Sequence, residues 1–127
     1  EPHLGERQPC FLYEYPPSQA SLAQVSTAST GHLVAQRFEL YIQGIELANG
    51  YYELTDAKEQ AERFNQDNQS RLSLGYPVIP PDEHLVCAMK HGLPACSGVA
   101  VGLDRVLMLK VGAKSIDEVL TFPIDRA

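Results

Sequence analysis

The sequence predicts an α+β domain with a mainly antiparallel sheet, and three observations carry that prediction. Two stretches with strand-like alternation meet at Gln43-Gly44, which marks a hairpin. Helical segments with their own start and stop signals stand apart from the strands instead of alternating with them. No internal repeat or low-complexity tract appears, and 127 residues with 44% hydrophobic and 20% charged residues suit one globular domain.

The elements follow in chain order. Cys10 to Tyr15 (CFLYEY) is aromatic and stops at Pro16-Pro17, as a strand must where proline removes a ladder donor. Ser18 to His32 is rich in small polar residues, with Leu22 as its main apolar anchor, and reads as a short helix or ordered loop. From Val34 to Ile42, Phe38, Leu40 and Ile42 alternate with Arg37, Glu39 and Tyr41, giving a strand whose return partner runs from Ile45 to Leu54. Asp56 with Glu59 three residues on opens a polar, surface-lying helix that ends near Gly75. Tyr76 to Pro81 is a proline-broken linker, and Asp82 caps a short helix ended by Gly92, with Leu85, Val86 and Met89 on one face. A strand over Cys96 to Val101 and a helix over Leu103 to Val111, stopped by Gly112, follow.

If Gln43-Gly44 is a two-residue turn, Ile42 faces Ile45, Tyr41 faces Glu46, Leu40 faces Leu47 and Glu39 faces Ala48. Glu39 and Glu46 then share a face diagonally, about 7 to 8 Å apart at the backbone, within reach of one cation. Magnesium suits such a pair, since it takes one or two carboxylates and completes its shell with water and phosphate oxygens. Asn49, Tyr51 and Glu53 offer an amide, an aromatic wall and an anion, a set that fits a cationic amine. They join the Glu46 face only if the strand changes register by one, so a bulge is expected near Asn49-Gly50.

In Ser97-Gly98-Val99-Ala100-Val101-Gly102-Leu103-Asp104-Arg105, Gly98 and Gly102 would let a flat ligand approach the backbone. The helix start at Gly102 offers unpaired N–H groups, and Arg105 should lean back toward it. Together they form a candidate nucleotide clasp. His84, Cys87 and His91 share a helix face with Cys96 nearby, but this is no usual zinc spacing, and buried cysteines with exposed histidines are expected instead.

The net charge of −6 disfavours this segment as a nucleic-acid surface, so tRNA is not expected to bind it. No apolar run is long enough to cross a bilayer, and three cysteines without a CxxC pair point to a reducing, cytoplasmic setting. The first residue is Glu1 and not Met, which leaves open whether the chain is a surviving piece of something longer or a natural short form.

The stretches FELYIQGIELANGYYELTDAKEQAERF and SGVAVGLDRVLML resemble the C-terminal catalytic segments of class II lysyl-tRNA synthetases, the second being that class's third signature motif. The likeness runs from about Phe11 to the end. It implies a C-terminal portion of a class II catalytic domain over residues 1 to 127, with a six-stranded antiparallel sheet in the whole domain and a homodimer in the whole protein. It also implies that Glu39 and Glu46 bind ATP with magnesium, that Arg105 contacts ATP, and that Asn49, Tyr51 and Glu53 bind the amino acid. SQASLAQ, CSGVA and Ala100 resemble the branch of the family that transfers (R)-β-lysine, through an aminoacyl adenylate, to a lysine of translation elongation factor P. At Ala100 the tRNA-charging branch usually has glycine, and one added methyl is worth only about 1 to 3 kcal/mol of discrimination. The first two signature motifs are absent, so these residues alone are not expected to catalyse adenylation. A lysyl-tRNA synthetase fragment and a non-catalytic amino-acid or partner-binding paralogue are the alternatives.

Overall fold

A computed structural model describes residues 2–126. Five strands form one sheet: β1 (Cys10–Tyr15), β2 (Val25–Thr27), β3 (Leu33–Ile42), β4 (Ile45–Tyr52) and β5 (Ser97–Val101). The order is β1-β3-β4-β5, every pairing is antiparallel, and β2 pairs β3 off this path. Three helices, α1 (Ala57–Ser73), α2 (Glu83–His91) and α3 (Leu103–Val111), complete the α+β architecture.

The helix signals act as expected. Asp56 accepts from the backbone N–H groups of Lys58 and Glu59 at 2.8 and 3.1 Å, and Asp82 does the same for His84 and Leu85 at 2.9 and 3.1 Å. The Glu59 carboxylate does not close a capping box but pairs with Arg63 one turn on, at 2.6 Å. Arg63 in turn donates to the carbonyls of Ser21 and Ala23, tying α1 to the segment ahead of β2. Of the three apolar residues expected to share a face of α2, only Met89 is buried.

Ser18 to His32 holds more order than its composition announces. A 3-10 turn over Pro17–Gln19 leads into β2, and the buried anchors are Ala20 and Ala23, not Leu22. With Tyr15 and Ala35 they form a small core, against which Val25 and Tyr51 pack. Ala35 has Tyr15 on one side and Val25 on the other, so no larger side chain is needed to seal it.

The β3–β4 turn is a two-residue one, with Gln43 at φ 52° and Gly44 at φ 75°, the all-positive pattern that matches strand twist. Ile42 pairs Ile45 and Tyr41 pairs Glu46, as expected, but Leu40 pairs Ala48 and Glu39 pairs Asn49. The bulge therefore falls at Leu47, two residues ahead of its expected place. It lies within the strand, where Leu47 is itself buried, and Asn49-Gly50 continues a regular ladder. A second irregularity, at Glu14 with φ 58°, turns Tyr15 onto the same face as Glu39.

Candidate functional site

The Leu47 bulge puts Glu46, Asn49 and Tyr51 on one face of β4, beside Tyr41, Glu39 and Arg37 of β3, and Glu53, just past the end of β4, lays its carboxylate over Gly98 on the same face. From β5, Ala100 pairs Asn49 and Gly98 pairs Tyr51, so both belong to this face as well. The opposite face is apolar, with Phe11 against Phe38, and Tyr13, Val99 and Val101 exposed.

Glu39 lies at the centre of the polar face and is only 5% exposed. Its Oε2 accepts from the hydroxyls of Tyr15 at 2.6 Å and Tyr41 at 2.5 Å. Its Oε1 accepts from Arg37 Nη2 and from Asn49 Nδ2, the latter at 3.2 Å. Burial alone would raise the pKa of this carboxyl, but the two tyrosine hydroxyls and the Arg37 guanidinium outweigh it and hold the pKa below the ordinary value. Tyr15 is pushed the other way, by burial first and then by its bond to Glu39.

A carboxylate has about four lone-pair positions, and Glu39 has four donors. The two acids expected to share a cation are therefore not equivalent. Glu46, half-buried, has no hydrogen bond or ion pair to its carboxylate among the described residues, whereas Glu39 is filled.

Arg105 does lean back over the start of α3. Its stem occupies the space a side chain at Gly102 would need, and its Nη1 donates to the Glu46 carbonyl at 2.7 Å. Gly102 is thus open for Arg105, and Gly98 is open for Glu53, whose carboxylate lies where a Gly98 side chain would stand. At both glycines the space a side chain would need is taken by another side chain of the site. Glu53 is held at its backbone, donating to the Cys96 carbonyl and accepting from Gln24 Nε2, both at 3.0 Å.

Sequence reading passed over Arg37, Tyr15 and Tyr41. Arg37 was legible as a cation two residues from Glu39 on a strand, hence on its face; Tyr15 was not, because only the bulge at Glu14 brings it there. His84 and His91 are exposed as expected, but Cys87 is exposed and Cys96 only half-buried, since the short helix and its flank lie on the surface, and Cys10 is half-buried at the start of β1. Among the described residues no three His, Cys, Asp or Glu side chains converge as a metal cluster, and no helix is long and apolar enough to cross a membrane. A cavity of about 610 Å³ lies between α1 and the linker, lined by Phe64, Asn68, Arg71, Leu74 and Ile79, and shares no residue with the polar face.

The family model for tRNA synthetases class II (D, K and N) matches residues 3–126. The chain is 56% identical over its whole length to the elongation factor P (R)-β-lysine ligase of Salmonella arizonae, and 55% identical to that of Edwardsiella ictaluri. It spans 38% of the length of each of these relatives.

Proposed function

We propose, from the premise that this chain belongs to the tRNA synthetases class II (D, K and N) family, that it forms the C-terminal part of a ligase that activates a lysine-like amino acid with ATP and passes it to elongation factor P. The observation that carries the reading is the order of groups along β4. Arg105 and Glu46 stand at one end, Glu53 at the other, with Asn49 and Tyr51 between.

Asn49 and Glu53 are four residues apart, about 13 Å of strand. Side chains leaning inward from both ends leave a span suited to a linear diamino acid. Glu53, with no side-chain partner among the described residues, takes the distal ammonium. Asn49 has its Oδ1 on Arg37 and one amide hydrogen on Glu39, so its remaining N–H points a donor at the substrate carboxylate. Tyr51 walls the methylene chain, and the Ala100 methyl narrows the floor next to Asn49. Relatives named for (R)-β-lysine transfer support that substrate over α-lysine.

At the other end, Arg105 sets a fixed positive charge for the nucleotide phosphates. Magnesium fits Glu46, whose acceptor positions are unused, with Glu39 contributing its charge from behind; when bound it would offset charge developing on the phosphates. The protein's part in the chemistry is orientation: the substrate carboxylate is held toward the α-phosphate, and no side-chain nucleophile is required. The other wall of the site, a homodimer and a cytoplasmic location belong to the same proposal, and the three free cysteines suit a reducing compartment.

The test is ATP-dependent labelling by the protein carrying this segment at full length. Transfer of radiolabelled (R)-β-lysine to elongation factor P, without charging of tRNA-Lys, is expected. Strong charging of tRNA-Lys would move the assignment to the tRNA branch, and no substrate-dependent pyrophosphate exchange at all would leave a binding paralogue.

A further inference from the structure

We propose that Arg37 is the positioning residue that fixes the Asn49 amide for substrate, an inference that rests on the role given to Asn49 above. The Arg37 side chain is only 16% exposed, and each of its nitrogens has a different acceptor. Nε donates to Asn49 Oδ1 at 3.3 Å, Nη1 to the Gln19 carbonyl at 2.9 Å, and Nη2 to Glu39 Oε1. The Tyr15 and Tyr51 rings flank the guanidinium, with centroids 4.6 and 5.7 Å away.

These contacts close a ring. Arg37 donates to Asn49, Asn49 donates to Glu39, and Arg37 donates to Glu39. A primary amide has two orientations related by a half-turn, and only one satisfies a donor at Arg37 and an acceptor at Glu39 together. The ring selects that orientation before any ligand arrives. It leaves one Asn49 N–H outward; the reversed amide would present an oxygen and repel a carboxylate. Among the described residues, no side chain other than Arg37 and Glu39 bonds to the Asn49 amide.

Lysine cannot replace arginine here. Its ammonium is a single point and cannot reach Glu39, Gln19 and Asn49 in three directions, although it keeps the charge that balances buried Glu39. Arg37→Lys therefore separates orientation of Asn49 from neutralisation of Glu39.

The experiment is a double-mutant cycle on the full-length protein, read by lysine- and (R)-β-lysine-dependent ATP–pyrophosphate exchange and by thermal melting. Arg37→Lys is expected to raise the amino-acid KM about tenfold, in the range a misoriented positioning shell costs, with melting close to wild type. Asn49→Ala should raise it similarly. In the Asn49→Ala background, adding Arg37→Lys should change KM less than about twofold, because its route to substrate is already gone. Multiplying effects, or an unchanged KM accompanied by a lower melting temperature, would make Arg37 a strut and overturn the inference while leaving the functional reading intact. If the wild-type protein shows no exchange with either amino acid, the functional reading fails, and the role of Arg37 fails with it.

Discussion

Glu39 and Glu46 sit on one face of one hairpin, yet the surroundings of each are opposite in kind. Around Glu39 every polar atom is matched by groups from three separate strands, Tyr15 from β1, Arg37 and Tyr41 from β3, and Asn49 from β4. Around Glu46 the protein supplies only a backbone anchor for Arg105. The same residue type therefore does two jobs. The enclosed acid is tied into the face by four donors, and the open one keeps its acceptor positions unused among the described residues. Strand alternation places both, but only partners arriving from elsewhere in the chain decide which is which.

That contrast can be broken by mutation, in decreasing order of expected cost to stability. Glu39→Ala strips the acceptor from Arg37 and from two tyrosine hydroxyls, and should destabilise the protein by about 3 kcal/mol in urea unfolding; a loss no greater than that of Glu46→Ala would erase the distinction. Gly50→Ala, on the apolar face, would drive a methyl into the Phe38 ring and to 3.0 Å from the Gly98 carbonyl, costing about 2 kcal/mol of overpacking by the same measurement.

A pH series gives the enclosed acid a second signature. Its folded pKa lies below the ordinary 4.5, so the stability it contributes is present above that value and drains as pH falls through the lower one. Wild type should lose stability over that acid window more steeply than Glu39→Gln, and parallel curves would count against the enclosed carboxylate.

The open end should respond differently. Gly98→Ala meets only the far end of the Glu53 side chain, which can swing aside, so melting should barely move while the KM for the diamino acid rises several-fold. Smallest of all in stability is Glu46→Gln, within about 0.5 kcal/mol of wild type, although exchange activity should fall. A clear drop in melting temperature for Glu46→Gln would mean that this acid too is part of the scaffold.

Much of this architecture is legible in the residues. Asp56, Asp82 and Gly112 mark helix ends through local hydrogen bonding, which needs no knowledge of the rest of the chain. The hairpin turn and its first two pairs are local too. The bulge position is not, because either residue between Glu46 and Asn49 would restore the face, and Leu47 and Ala48 are equally buried, so burial does not choose between them. Strand β2 and its alanine anchors escaped because Ala20 and Ala23 matter for being small where Tyr15 and Arg63 close in, a property of the assembled fold and not of the segment. The filled state of Glu39 escaped for the same reason.

Leu47 also makes the length of β4 carry meaning. An alignment that opens a gap there would look harmless, one hydrophobic residue lost from an apolar stretch. In space it would restore a regular ladder and turn either Glu46 or the whole run of Asn49, Tyr51 and Glu53 to the apolar side. When relatives of this chain are compared, the count of residues between the acid and the asparagine is therefore a sharper mark of a working site than the identity of any residue lying between them.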